Sequence, residues 1–195
     1  FQNYLNHDDK TYRMEVHYRL GSLFQRENRI EEAISAYQEH LQGNPGTIFQ
    51  NARFRLGILH QQTGDSDASI KSFQGYLASE DSQHAGQAHY RLALIYRKKG
   101  DLSLAEEKFA QAVLLLKTPK DVAEASFWRA ETAFVQAMVP IQEDPQFEVP
   151  ESVLEQLAMN YQLFLNMVEQ LENPESVEKL LSLAHFRMGV IQERL

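Results

Sequence analysis

Cysteine is absent from the 195 residues, and its absence removes thiolate nucleophiles, disulfides and thiolate-bound zinc from consideration. It leaves the compartment open. No apolar run approaches the roughly 20 residues that a membrane-spanning helix requires, so direct membrane insertion is not expected. Proline (6) and glycine (9) are scarce and gather at inferred turns, as in an all-helical chain with short connections. Basic side chains are also in deficit, with 19 Lys and Arg against 27 Asp and Glu and a net charge of −8. The imbalance is local: residues 1–139 hold 16 basic and 17 acidic side chains, whereas residues 140–195 hold 3 and 10. Nucleic acids and anionic membranes both require a basic footprint, which argues against either as a partner. Motifs of the HExxH, GxxxxGK(S/T) and GxSxG types are missing as well. No catalytic residue, metal site or cofactor is therefore expected.

What is present is repetition. The stretch from Gln87 to Val113 reads as two amphipathic helices around a turn at Gly100-Asp101. Shifting it back by 36 residues places Tyr90-Arg91-Leu92-Ala93 on Phe54-Arg55-Leu56-Gly57, and a second shift places it on Tyr18-Arg19-Leu20-Gly21. Gly100 falls on Gly64 and then on Asn28, residue types that tolerate the left-handed backbone needed between two helices. Phe109, Phe73, Tyr37 and Phe1 are likewise 36 apart. A period in the thirties built from helix–turn–helix units specifies an all-α, right-handed superhelical solenoid of antiparallel helix pairs.

The reading along the chain is of one array, 1–195. Residues 1–6 form the end of a preceding helix, and repeats occupy 11–42, 47–79, 84–117 and 119–172. A final unpaired helix spans 175–195, so the chain reads as a segment excised from a longer protein. The fourth repeat carries an insertion at 139–150, where Pro140, Pro145 and Pro150 are expected to forbid helix. Asp65 or Ser66 is placed to cap a second helix, and Pro119 to occupy the first turn of the next. In the insertion, Phe147 and Val149 are expected to be exposed among Glu143, Asp144 and Glu148; the segment is either a functional loop or a tolerated surface insertion. His17, His89 and His185 recur at one motif position and read as packing residues.

These residues resemble the tetratricopeptide repeat family. The first pair supplies His17, Leu20-Gly21, Phe24, Ala33, Tyr37 and Pro45; the third supplies His89, Leu92-Ala93, Tyr96, Ala105 and Phe109. The second is weaker, with Ser69 where the pattern has alanine, and no unit has the family's tryptophan at its first marker. The 36-residue period and the FQNYL and FQGYL openings are similar to repeats of bacterial envelope proteins, namely the Tol-Pal-associated periplasmic protein and the outer-membrane assembly lipoprotein. That similarity implies a periplasmic or cell-envelope setting rather than the cytoplasm.

The resemblance further implies a non-catalytic scaffold whose first helices line a groove for a segment of a partner protein. On that geometry the groove residues are Tyr18, Arg19, Phe54, Arg55, Tyr90, Arg91, Arg97, Phe186 and Arg187, an aromatic and basic set suited to an acidic and apolar segment. The competing reading is that each arginine pairs with a carboxylate of a neighbouring helix and each ring packs a repeat interface. The clamp that some relatives use for chaperone tails is matched only at Arg91. Two alternatives in function stand beside the scaffold: a regulatory or targeting domain of a larger enzyme or signalling protein, and a self-association module.

Overall fold

The computed structural model describes residues 10–43, 51–79 and 83–195, and among these every regular element is helical. The elements are α1 (Lys10–Arg26), α2 (Ile30–Gln42), α3 (Asn51–Gln62), α4 (Ser66–Leu77), α5 (Ala85–Lys99), α6 (Leu102–Leu115), α7 (Pro119–Glu143), α8 (Glu151–Glu169), a 3-10 turn (Pro174–Val177) and α9 (Glu178–Gln192). Contacts divide the chain into two compact units, 1–88 and 89–195, with the division inside α5. The expected helix tail at 1–6, the Phe1 marker, Pro45 and the start of the second repeat at residue 47 lie outside the described residues.

In the first unit each pair turns on one left-handed residue, Asn28 at φ 59° and Gly64 at φ 81°. The pairs close on a small residue facing a ring. A Cβ added at Gly21 would lie 2.8 Å from the Tyr37 ring, and one added at Gly57 would lie 2.6 Å from the Phe73 ring. Only hydrogen fits there, so glycine sets how closely the two helices approach. Tyr37 and Phe73 are both fully buried. Ser69, in the position that alanine holds elsewhere, donates its hydroxyl to the Gly57 carbonyl at 2.7 Å and so satisfies its buried oxygen. Asp65 caps α4 by accepting from the Ala68 amide at 3.0 Å.

The second unit repeats the device once and then enlarges it. Gly100, at φ 86°, turns α5 into α6. Thr118 caps α7, accepting from the Asp121 amide at 3.2 Å, with Pro119 in the first turn. The core gathers Phe127, Phe134, Leu154, Leu157, Tyr161, Phe164 and Ile191. Tyr161 meets the Phe127 and Phe134 rings edge-on at 6.3 and 6.4 Å.

Two sequence expectations need correction here. Helix α7 runs through Pro140 to Glu143, so the irregular segment starts at Asp144 and not at residue 139. Proline deletes one amide donor, but it sits in the last turns, where Met138 and Ile141 pack on the core and the Asp144 amide closes the helix on the Pro140 carbonyl at 2.8 Å. Val149 is 9% exposed and belongs to the core, because the chain must return to the bundle to start α8 beside Leu154. Phe147, at 40%, is the exposed member of the pair.

Candidate partner-binding site

Within the first unit, Gln25 and Arg55 of two first helices and Tyr37 of the second helix α2 converge on one hydrogen-bonded node. Tyr37 donates its hydroxyl to Gln25 Oε1 at 3.3 Å, and Arg55 Nη1 donates to the same oxygen at 3.2 Å. Burial raises the Tyr37 pKa, so the phenol stays neutral and available as a donor. Beside this node Phe54 is buried, edge-on to Phe73 at 5.7 Å and stacked on His84 at 4.8 Å. Gln25, Asn51, Phe54, Arg55, Ile58, Gln83 and His84 line a cavity of about 260 Å³. Its wall thus comes from α1, α3 and the turn before α5, and from neither second helix. Asn51 Oδ1 is buried without a hydrogen-bond partner. Among the described residues no carboxylate pairs with Arg55, whose partners are neutral: the Gln25 amide and the Tyr18 and Tyr37 hydroxyls.

The other expected groove residues fall in several environments. Tyr18 packs edge-on to Tyr37 at 5.7 Å. Arg19 is an exposed side chain paired with Glu15 on its own helix at 2.6 Å. In the second unit Tyr90 meets Phe109 edge-on at 5.8 Å, and burial, with Glu124 and Asp121 near, pushes its pKa up to about 12. Arg91 is half-buried, and burial lowers its pKa. Arg97 lies 4.7 Å over the Trp128 ring, a cation–π contact between α5 and α7. Phe186 is 62% exposed.

Arg187 is held most firmly. Its Nη2 donates to Glu131 Oε1 at 2.6 Å and its Nε to Oε2 at 3.1 Å, while the guanidinium stands 4.4 Å over Phe134. Tyr161 donates to Glu131 Oε2 at 2.7 Å. Glu131 is 3% exposed, and this triad joins α7, α8 and α9. The sequence reading missed Glu131, Asn51 and His84. A signal for Glu131 existed: it shares the core spacing of Phe127, Ala130 and Phe134, where a charge must find a buried partner. Asn51 and His84 occupy no marker position.

The recurring histidines do not form one set. His89 is half-buried, and His185 is exposed with Nδ1 3.0 Å from the Leu181 carbonyl. Among the described residues no three His, Cys, Asp or Glu side chains gather as a metal site, and no helix is long and apolar enough to cross a membrane.

Comparison with known proteins agrees with this geometry. Two family models, each described as Tetratricopeptide repeat, match residues 16–46 and 54–116. No curated protein matches the chain. Among solved structures, the chain is similar to BtubC (BKLC) from P. vanneervenii, with a TM-score of 0.57 and 12% identity over 88% of this chain and 70% of that one. It is also similar to the MamA protein, with a TM-score of 0.57 and 15% identity over 89% of this chain and 91% of that one. At such identities the likeness concerns the fold. The matched stretches 16–46 and 54–116, whose turns and ring-against-glycine pairs follow the 36-residue period, are tetratricopeptide repeats.

Proposed function

We propose that the chain is a non-catalytic protein-interaction scaffold, and that the cavity around Arg55 receives an acidic and apolar segment of a partner protein. The observation that carries this reading is the pairing of a half-buried arginine, held by the neutral groups of Gln25, Tyr18 and Tyr37, with a ring wall and an unpartnered Asn51 oxygen. A carboxylate meets the guanidinium, an amide N–H meets Asn51, and apolar groups meet Phe54 and Ile58. Arg19, Arg97 and Arg187 already engage Glu15, Trp128 and Glu131, so they contribute less. A role in bacterial envelope assembly, in the periplasm, rests on the sequence resemblance alone; fractionation of the native cells tests it.

The scaffold reading is tested by selecting binders from a displayed random peptide library and titrating them against the wild-type chain and Arg55→Glu. Selected peptides are expected to be rich in Asp or Glu next to apolar residues. Their affinity should fall about tenfold or more in Arg55→Glu, the loss of one charge-assisted pair. Peptides without acidic residues, or peptides that bind the variant equally, would refute the site.

A further inference from the structure

The fourth repeat departs from the others at one buried place. Phe127 meets Tyr161 edge-on as Tyr90 meets Phe109, and Ala130, like Ala93, is fully buried. In that register Arg129 stands where the earlier repeats keep Leu92 and Leu56, which are 0% and 4% exposed. A guanidinium thus occupies a place that otherwise holds leucine. Its Nη2 reaches Glu106 Oε1 at 3.5 Å, whereas its Nε is buried and has no hydrogen-bond partner among the described residues. The Ser126 hydroxyl, one turn earlier on α7, is buried and unpartnered too. Both residues line a small pocket between α6, α7 and α8, with Val113, Asn160 and Leu163 on its other walls. Asn160 Oδ1 accepts from Gln156 Nε2 at 3.2 Å, which leaves the N–H groups of the Asn160 amide as donors.

We propose that this pocket binds one water molecule, which joins α7 to α8. Buried donors without a protein acceptor call for one from elsewhere, and two observations choose it. The pocket volume is about 20 Å³, above the about 10–15 Å³ that one water requires and too small for the three heavy atoms of a carboxylate. Glu106 already faces Arg129, so an anion would meet a like charge and a neutral acceptor is favoured. Water accepts from Arg129 Nε and from the Asn160 amide and donates to Ser126 Oγ, three bonds in all, as internal waters commonly make. This site is separate from the Arg55 cavity and does not depend on that reading.

Water-selective NOE and ROE spectra of the isotope-labelled chain supply the test. Cross-peaks of opposite sign in the two spectra, the mark of a bound water, are expected at Arg129 Nε–H and at the Asn160 side-chain amide. They should vanish in Arg129→Leu, which restores the residue of the earlier repeats, and persist in Arg55→Glu. Ser126→Ala and Asn160→Ala are then combined, since the two side chains share a partner only in the water. The melting midpoint of the double variant should shift by less than the sum of the single shifts, by about 2 °C or more. At constant ionic strength the wild-type midpoint should stay the same when acetate replaces chloride. Absence of the cross-peaks, an Asn160 cross-peak that survives Arg129→Leu, or midpoint shifts that add would overturn the proposal. A midpoint that rises with chloride would assign the pocket to an anion and overturn the occupant named here.

Discussion

Two glycines at equivalent repeat positions should respond to the same mutation with opposite signs. In Gly57→Ala the new Cβ would lie 2.6 Å from Phe73 Cε1 and 2.7 Å from Cδ1 and Cζ. Carbon atoms in contact prefer about 3.5–4.0 Å, so the ring or helix α3 must shift by about 1 Å. Phe73 is fully buried, stands against Phe54 and cannot swing into solvent. Overpacking of this kind costs about 1–3 kcal/mol, and replacing a mid-helix glycine by alanine returns about 0.5–1 kcal/mol. The net expectation is a loss of about 1–2 kcal/mol from the first unit. In Gly189→Ala only the helix term survives, because nothing lies within 4 Å, so α9 gains about 0.5–1 kcal/mol. Thermal and urea unfolding followed by far-ultraviolet circular dichroism reads both. For a unit of this size, 1 kcal/mol moves the midpoint by about 4–8 °C. A Gly57→Ala protein that melts at or above the wild type would refute the ring-against-glycine account of helix pairing.

Other consequences follow from the same contacts. Arg187→Met strips Glu131 of its counter-charge and should destabilise by about 2–3 kcal/mol, below the usual figure for a buried pair because Arg187 is partly exposed. Glu131→Gln keeps an acceptor for Tyr161 and should cost less, which urea unfolding of the two variants compares. Burial, aided by the Lys108 charge, holds the His89 pKa below its ordinary 6.5. The unfolded chain therefore binds the proton more readily, and His89 contributes stability that is full above pH 6.5 and lost as pH falls toward its depressed value. Melting between pH 7.5 and 5.5 should show a shallower acid loss in His89→Gln than in the wild type. Asp65→Ala should cost about 1 kcal/mol through the lost cap, whereas Asp101→Ala, at the equivalent turn but with no cap hydrogen bond from its side chain, should cost clearly less in the same assay.

The features legible in the sequence are those that repetition enforces. Asn28, Gly64 and Gly100 all take the left-handed backbone, and the aromatic at each first helix meets the aromatic 19 residues later, Tyr18 with Tyr37, Phe54 with Phe73 and Tyr90 with Phe109. A feature that occurs once has no second copy to expose it. Glu131 reads as a solvent residue until Arg187, 56 residues away, closes on it. Pro140 reads as a helix stop because local chemistry ignores Met138 and Ile141, whose burial carries the helix one turn further. Val149 reads as part of an exposed loop because its contact with the Leu154 region depends on where the insertion re-enters the bundle. At the candidate site, Phe54 and Arg55 were legible by period, whereas Asn51 and His84 join them only through folding.

The proposed function places a partner segment against the first helices, in the Arg55 cavity. Amide and side-chain chemical-shift mapping of the chain during titration with an acidic, apolar peptide selected on it tests this most directly. The largest shifts are expected at Gln25, Asn51, Arg55, Ile58 and His84, with loss of those shifts in Arg55→Glu. Shifts confined to the second helices α2 and α4, with the first helices silent, would contradict it.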